Sequence, residues 1–346
     1  MREIIQSEAI EALLKARSGT ASVAVRTGKT RIGLLIAEKF QSVLVSYPNL
    51  TIRQSWFDDA KKFGIDISHI TFTTHLSLEK HNPEDFDIVI VDEIDQVSLN
   101  QWEYLKEYKR IKGLTGTPPK RGSDKYRYMV SYAPIVYEKK LSETVGKTNK
   151  DYEIIVHLLK PSTKKDLPLK SGRYWSESDK INFFENKYAQ SYNFKDMLML
   201  IQAIQYSKTK YEYFKKLAKT LDRALLFLET TKQCDDLPYP SYHSKNSESE
   251  ENLAAFQAGE VDFLSSVGQL KAGVTFPMVD KCIILHCYSS NNKTHQRLAR
   301  CLNYIPDVKA TIHILCLEST RDVDWVKKGL EEFDQTKIKW INGKIS

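Results

Sequence analysis

The chain has 346 residues, 41% hydrophobic and 27% charged, and its 51 Lys and Arg against 44 Asp and Glu leave a net charge of +7. That balance excludes a disordered, fibrous or small disulfide-held protein, and the length predicts two domains of ordinary size. No apolar stretch approaches the roughly 18 residues that cross a membrane, and the opening residues 1–14 lack the apolar core and cleavage site of a secretory signal, so a cytoplasmic protein is expected.

In chain order, short apolar runs alternate with amphipathic stretches. Helices are predicted at Gln6–Ala16, Lys29–Phe40, Ile52–Phe63 and Asn100–Tyr108, and strands at Ser22–Val25, Ser42–Ser46, Ile70–Thr73, Ile88–Val91 and Gly113–Leu114. A second series places strands at Ala224–Leu228, Phe263–Ser266, Lys281–Leu285 and Thr311–Leu315, and helices near Ser249–Ala258, Lys293–Cys301 and Val323–Phe333. This is the pattern of an α/β fold with parallel sheets, which bind ligands at the C-terminal ends of their strands. The domains are expected at 1–142 and 143–346.

The five cysteines, Cys234, Cys282, Cys287, Cys301 and Cys316, form no C-x-x-C pair, so neither a zinc site nor a disulfide framework is predicted. His286 and Cys287 lie in a run read as a buried strand, where neighbours face opposite sides, so core packing is expected there and not a nucleophile pair.

Between Lys160 and Thr220 there are 13 Lys and Arg against 6 Asp and Glu, together with 11 of the 37 aromatic residues, so the rest of the chain is neutral. Lysines attract phosphate and aromatics stack on bases, which makes Lys164, Lys165, Lys170 and Arg173 candidates for nucleic-acid contact. A helical pair with an aromatic core and a solvated lysine face would give the same composition.

The first strand runs into Ala24-Val25-Arg26-Thr27-Gly28-Lys29-Thr30 and then an amphipathic helix. A glycine that lets backbone approach phosphate, a lysine for the β/γ-phosphates and a hydroxyl for Mg²⁺ are the parts of a phosphate loop, although Val23 stands where the full pattern has a first glycine. About 60 residues on, the apolar run Ile88–Val91 empties into Asp92-Glu93-Ile94-Asp95. Asp92 is placed to bind Mg²⁺ and Glu93 to orient or deprotonate the attacking water.

These strings and their order resemble the superfamily 2 helicases and translocases, the DExD/H-box ATPases, over almost the whole chain. Val25–Thr30 resembles motif I, Leu44–Pro48 motif Ia, Thr71–Thr74 motif Ib, Asp92–Asp95 motif II and Leu114-Thr115-Gly116-Thr117-Pro118 motif III. Ala224–Leu228, Leu264–Val274 and Gln296–Asn303 resemble motifs IV, V and VI. The resemblance implies two tandem RecA-like domains with an ATP cleft between them, of a compact kind met in bacterial viruses.

It also implies roles. Lys29, Asp92, Glu93 and Arg300 would be catalytic, with Thr30 and Asp92 on Mg²⁺. Gln6, Arg26, Thr27, Gly28, Gly273 and Arg297 would help hold ATP, with Gln6 reading adenine. Pro48, Asn49, Thr73, Thr74 and Ser266 would join Lys164, Lys165 and Arg173 in touching nucleic acid. Ala299 and Asn303 replace the glycine and last arginine of motif VI, so a hydrolysis-impaired binding or annealing protein stays open beside the enzyme.

Trp56, Phe63 and the absence of a strict Asp-Glu-Ala-Asp favour DNA over RNA as substrate for a helicase, branch-migration motor or translocase. Replication, recombination or repair proteins are partner candidates, and a monomer is expected. A dinucleotide enzyme is excluded, because no G-x-G-x-x-G follows the first strand.

Overall fold

The computed structural model describes residues 1–24, 27–145, 150–168, 171–172, 174–267, 279–288, 297–298, 302, 308–331 and 333–343. Two compact units divide between Asn149 and Lys150. The expected boundary at 142/143 falls inside a short helix, Leu141–Thr144, that follows the last strand of the first unit.

The first unit is a parallel sheet built from β1 (Gly19–Val23), β2 (Val43–Tyr47), β3 (Ile70–Thr74), β4 (Ile88–Asp92), β5 (Ile111–Thr115) and β6 (Ile135–Lys139), in the order β3-β2-β4-β5-β1-β6. The four inner strands are buried at every residue, which is why β2 and β4 read as nearly continuous apolar runs, whereas β1 and β5 also bury Thr20, Ser22, Lys112 and Thr115. Helices α1 (Arg2–Lys15), α2 (Lys29–Ala37), α3 (Leu50–Phe63), α4 (Leu99–Leu105) and α5 (Asp124–Tyr132) lie between or before them. Ile5, Ala9 and Leu13, four residues apart, give α1 its buried stripe.

Lys112 on β5 is buried, and its ammonium donates to the carbonyls of Leu13 and Ala16, each at 2.6 Å. A cation at the C-terminal end of α1 satisfies carbonyls that have no partner within the helix. Burial pushes its pKa down to about 8.

The second unit carries β7 (Asp151–Leu159), the antiparallel pair β8 (Leu167–Pro168) and β9 (Tyr174–Trp175), β10 (Ala224–Leu228), β11 (Ser241–Tyr242), β12 (Phe263–Val267), β13 (Lys281–Ile284), β14 (Lys309–Leu317) and β15 (Ile338–Asn342). Its main sheet is parallel, in the order β11-β12-β10-β13-β14-β7-β15. The basic aromatic stretch forms three capped helices, α6 (Glu177–Ser191), α7 (Phe194–Gln205) and α8 (Lys208–Ala218). Ile181, Phe184, Leu200 and Phe214 pack with Leu226 and Leu228 of β10, so this stretch builds the core of the unit.

The strand β13 ends at Ile284, short of the expected Leu285. His286 and Cys287 therefore lie beyond it, and both are buried. Cys234, Cys282 and Cys316 are buried too.

Candidate nucleotide site and nucleic-acid surface

The chain turns from β1 into α2 at Gly28, which caps the helix in the left-handed region at φ +87°. A Cβ there would come within 2.4 Å of the Gln6 amide nitrogen, so both conformation and space select glycine. Gln6 is itself fixed: its amide nitrogen donates to the Thr27 carbonyl at 2.8 Å, and its carbonyl oxygen accepts from Arg31 at 3.1 Å. Thr27 is buried and donates back to the Ala24 carbonyl. The N-terminus of α2 thus opens beside Lys29 and Thr30, both partly exposed, and helix N-termini favour anions.

The acidic end of β4 faces the same place. Lys29 Nζ lies 3.1 Å from Glu93 Oε1, with the two side chains 15% and 20% exposed. Glu93 has φ +50°, uncommon for a residue with a Cβ, where the chain breaks sharply after the strand. Asp92 is held at both oxygens: Oδ1 accepts from the Glu93 amide and Oδ2 from the Trp56 indole, each at 3.0 Å. Asp95 Oδ1 accepts from Thr115 Oγ1 at 2.7 Å, and the same hydroxyl accepts from the Thr117 amide, so the acidic string and the Thr-Gly-Thr-Pro string are one network.

Burial, and then the Glu93 charge, push the Asp92 carboxyl up to about 6, against the opposing pull of Lys29 and the indole. The same two causes take Asp95 to about 7. Burial works against the charged form of Lys29, but the carboxylates of Glu93 and Asp92 outweigh it and raise its pKa. The charges of Glu93, Asp92 and Asp95 act together on the Lys29 ammonium, and the Asp92 carboxylate and Thr30 hydroxyl are oxygen donors of the kind a divalent cation takes. Among the described residues no three His, Cys, Asp or Glu side chains converge to cage an ion. A Mg²⁺ bound through one carboxylate and a hydroxyl, with phosphates completing its shell, needs no such cage.

The other expected residues are spread more widely. Pro48 is half-buried and Asn49 exposed after β2. Thr73 is buried against His81 at 3.0 Å, leaving Thr74 as the more open of that pair. Ser266 on β12 is fully buried, so no strand can reach its hydroxyl there.

Arg297 is only 3% exposed. It pairs with Glu229 at 3.0 Å, donates to the His286 carbonyl and stacks on Tyr288, all within its own unit. Arg26, Lys170, Arg173, Gly273, Ala299, Arg300 and Asn303 lie outside the described residues.

Lys164 and Lys165 are exposed. A cavity of about 1060 Å³ in the second unit gathers Lys160, Lys164, Lys208 and Lys216 beside Leu158 and Tyr213. Lys208 pairs with Asp166 at 2.8 Å, and Lys160 lies 3.8 Å from Glu318. Lys164 and Lys216 make no ion pair among the described residues. Part of the aromatic stretch is nearly neutral, since residues 177–205 hold 3 Lys against 4 Asp and Glu, whereas Lys215 lies over the Tyr211 ring at 4.9 Å. Tyr192 and Phe194 stand exposed on that nearly neutral hairpin.

Sequence reasoning gave Trp56 no part in the site, and missed the Glu229 and Tyr288 partners of Arg297. An indole on an amphipathic helix looks like ordinary core, and no spacing rule links position 56 to position 92.

The two parallel-sheet units, with a phosphate-loop turn and an acidic strand end in the first, define the class of tandem RecA-like folds. The helicase conserved C-terminal domain matches residues 195–304. The chain is 22% identical to the DNA 3'-5' translocase XPB2 of Sulfurisphaera tokodaii, over 86% of this chain and 77% of that protein. Among solved structures, a fragment assigned as an HsdR subunit of a type I restriction enzyme from Vibrio vulnificus matches with a TM-score of 0.64 at 15% identity, covering 99% of this chain and 68% of that one.

Dbp5 of S. cerevisiae, in complex with RNA and ADP BeF3, matches with a TM-score of 0.60 at 11% identity, covering 99% and 90%. The domain match lies within the second unit, the similarity to XPB2 runs over most of the chain, and the solved structures share its fold. Among the described residues no helix is long and apolar enough to cross a membrane.

Proposed function

We propose that the chain is a cytoplasmic, ATP-driven nucleic-acid translocase or helicase acting on DNA, with its nucleotide site in the first domain. The observation that carries this reading is the meeting of Lys29 and Glu93 at 3.1 Å between the N-terminus of α2 and the end of β4, next to a doubly held Asp92. ATP with Mg²⁺ would supply the scissile phosphoanhydride and the charge that neutralises it.

Phosphate oxygens at the loop compete with Glu93 for the Lys29 ammonium. Drawing Lys29 away leaves the Glu93 carboxylate free to take a proton from water. Thr30 and Asp92 are the residues that would hold the cation. Gln6, with both polar ends engaged by Thr27 and Arg31, keeps the loop backbone in shape. DNA is favoured by the likeness to a protein named as a DNA translocase.

The test is ATP hydrolysis by wild type and Lys29→Ala, each alone and with single-stranded, duplex and forked DNA and with RNA. Stimulation by DNA that disappears in Lys29→Ala is the expected result. Stimulation by RNA alone would reassign the substrate. Binding without hydrolysis under any condition would make the protein a clamp or annealer.

A further inference from the structure

Trp56 is fully buried on α3, and three motif-bearing elements meet around its ring. Its indole N–H donates to Asp92 Oδ2 at the end of β4 at 3.0 Å. Its six-membered edge lies so close to α2 that a Cβ at Gly33 would stand 2.3 Å from Cη2. Phe72 of β3 closes another side, edge-on at 6.2 Å between ring centroids.

A buried indole needs an acceptor, so the hydrogen bond alone would not separate packing from positioning. Two further features do. The acceptor is a carboxylate and not one of the many backbone carbonyls of the sheet. The helix that follows the phosphate loop is also stripped of a side chain at Gly33, where the ring needs room.

We propose that Trp56 is a positioning residue: its indole N–H holds one oxygen of Asp92 so that the carboxylate's remaining lone pairs face the metal of a bound nucleotide. The inference rests on the proposed nucleotide site. The Glu93 amide fixes the other oxygen, so the two donors together set the carboxylate plane. A ligand oriented by outer partners binds metal more tightly than one free to rotate, and losing such a partner typically costs about 10- to 100-fold in affinity or activity.

The experiment is a Mn²⁺ titration followed by electron paramagnetic resonance, with a non-hydrolysable ATP analogue, on wild type, Trp56→Phe and a protein carrying benzothienylalanine at position 56. Benzothienylalanine keeps the bicyclic shape and replaces the N–H by sulfur, so it remains informative if the smaller phenylalanine ring loosens the fold. Both variants should bind Mn²⁺ at least about tenfold more weakly, with nucleotide affinity in EDTA unchanged and kcat reduced more than KM is raised. A benzothienylalanine protein whose Mn²⁺ curve superimposes on wild type would overturn the inference and return Trp56 to core packing. Absence of metal-dependent nucleotide binding in wild type would instead overturn the nucleotide site itself, and the inference with it.

Discussion

The Lys29–Glu93 pair of the first unit and two pairs of the second, Arg297–Glu229 and Lys210–Asp322, have the same chemistry and opposite settings. Lys29 and Glu93 keep 15% and 20% of their side chains exposed, whereas Arg297 and Glu229 keep 3% and 4%, and Lys210 and Asp322 none. A pair that solvent can reach can be opened by a competing anion, and a pair sealed in low dielectric cannot be opened without leaving a charge stranded. The first arrangement suits a site that exchanges partners; the second suits a scaffold. On that ground Arg297 and Lys210 are expected to act in the stability of the second unit.

Single substitutions should divide along that line. Lys29→Ala removes the ammonium on which Glu93, Asp92 and Asp95 act, and nucleotide turnover should fall by at least about 100-fold, as for loss of a main charge-stabilising group. Its melting should move little, because a partly exposed pair contributes below about 1 kcal/mol. Arg297→Ala should do the reverse. It strands the buried Glu229 and should cost the second unit about 3–5 kcal/mol in denaturant unfolding, while nucleotide binding to the first unit is retained. A well-folded Arg297→Ala protein that cannot hydrolyse ATP would break the comparison and return Arg297 to the nucleotide.

Lys210 sharpens the same point. Its ammonium contacts Asp322 on the helix Arg321–Gly329, and His286 Nδ1 lies 3.5 Å from the same carboxylate. Lys210→Met alone should destabilise about as much as Arg297→Ala, and Lys210→Met with Asp322→Leu should recover only part of the loss, since removing both charges relieves the stranded carboxylate but leaves the Leu317 amide, which donates to Asp322 at 2.8 Å, without its acceptor.

Histidines extend the contrast into pH. On β7 and β14, His157 Nε2 and His313 Nδ1 lie 2.9 Å apart, with Tyr213 on the other side of His157. Burial, first of all, holds each near 4 against an ordinary 6.5. Between those values the unfolded chain binds protons that the folded one refuses, so the contribution of the pair is complete above pH 6.5 and declines as the pH falls towards 4. Denaturant unfolding of the second unit at pH 7 and pH 5 should show this decline, and His313→Phe should flatten it.

Legibility in the sequence followed burial. The runs leading to Ser46 and Asp92 are central strands of a parallel sheet, sealed on both faces, so their apolar stretches read directly as β2 and β4. The strand β7 escaped, because its residues alternate between buried and half-buried and its strand partners, β14 and β15, come from the far end of the chain. Gly28, Lys29, Asp92 and Glu93, which the structure brings near one another, could be proposed from the sequence because a phosphate site asks for such residue types at short spacing. The hold of Trp56 on Asp92 and of Glu229 on Arg297 was not, since each joins positions that only the fold brings together.

The basic aromatic stretch offers the smallest and most divisive effect. As a sequence it joins lysines and rings in one nucleic-acid signature; in the structure Tyr211 and Tyr213 stay beside lysines, while other rings stand among charges that nearly cancel. Lys164 and Lys165 stand on the loop beside the cavity, and Tyr192 and Phe194 on a hairpin whose charges nearly cancel. Phosphate binding and base stacking leave different marks on salt dependence, because only the former releases counterions. Replacing Lys164 and Lys165 together by Ala should weaken DNA binding and lower the log–log salt slope by about one for each phosphate no longer neutralised. Replacing Tyr192 and Phe194 by Ala should leave that slope alone. If single-strand affinity still falls in the second variant, by the ~1–3 kcal/mol per base that stacking contributes, the hairpin is a stacking surface and the two halves share one strand. If it does not, the rings serve α6 and α7 alone, and the lysine loop holds the strand by charge.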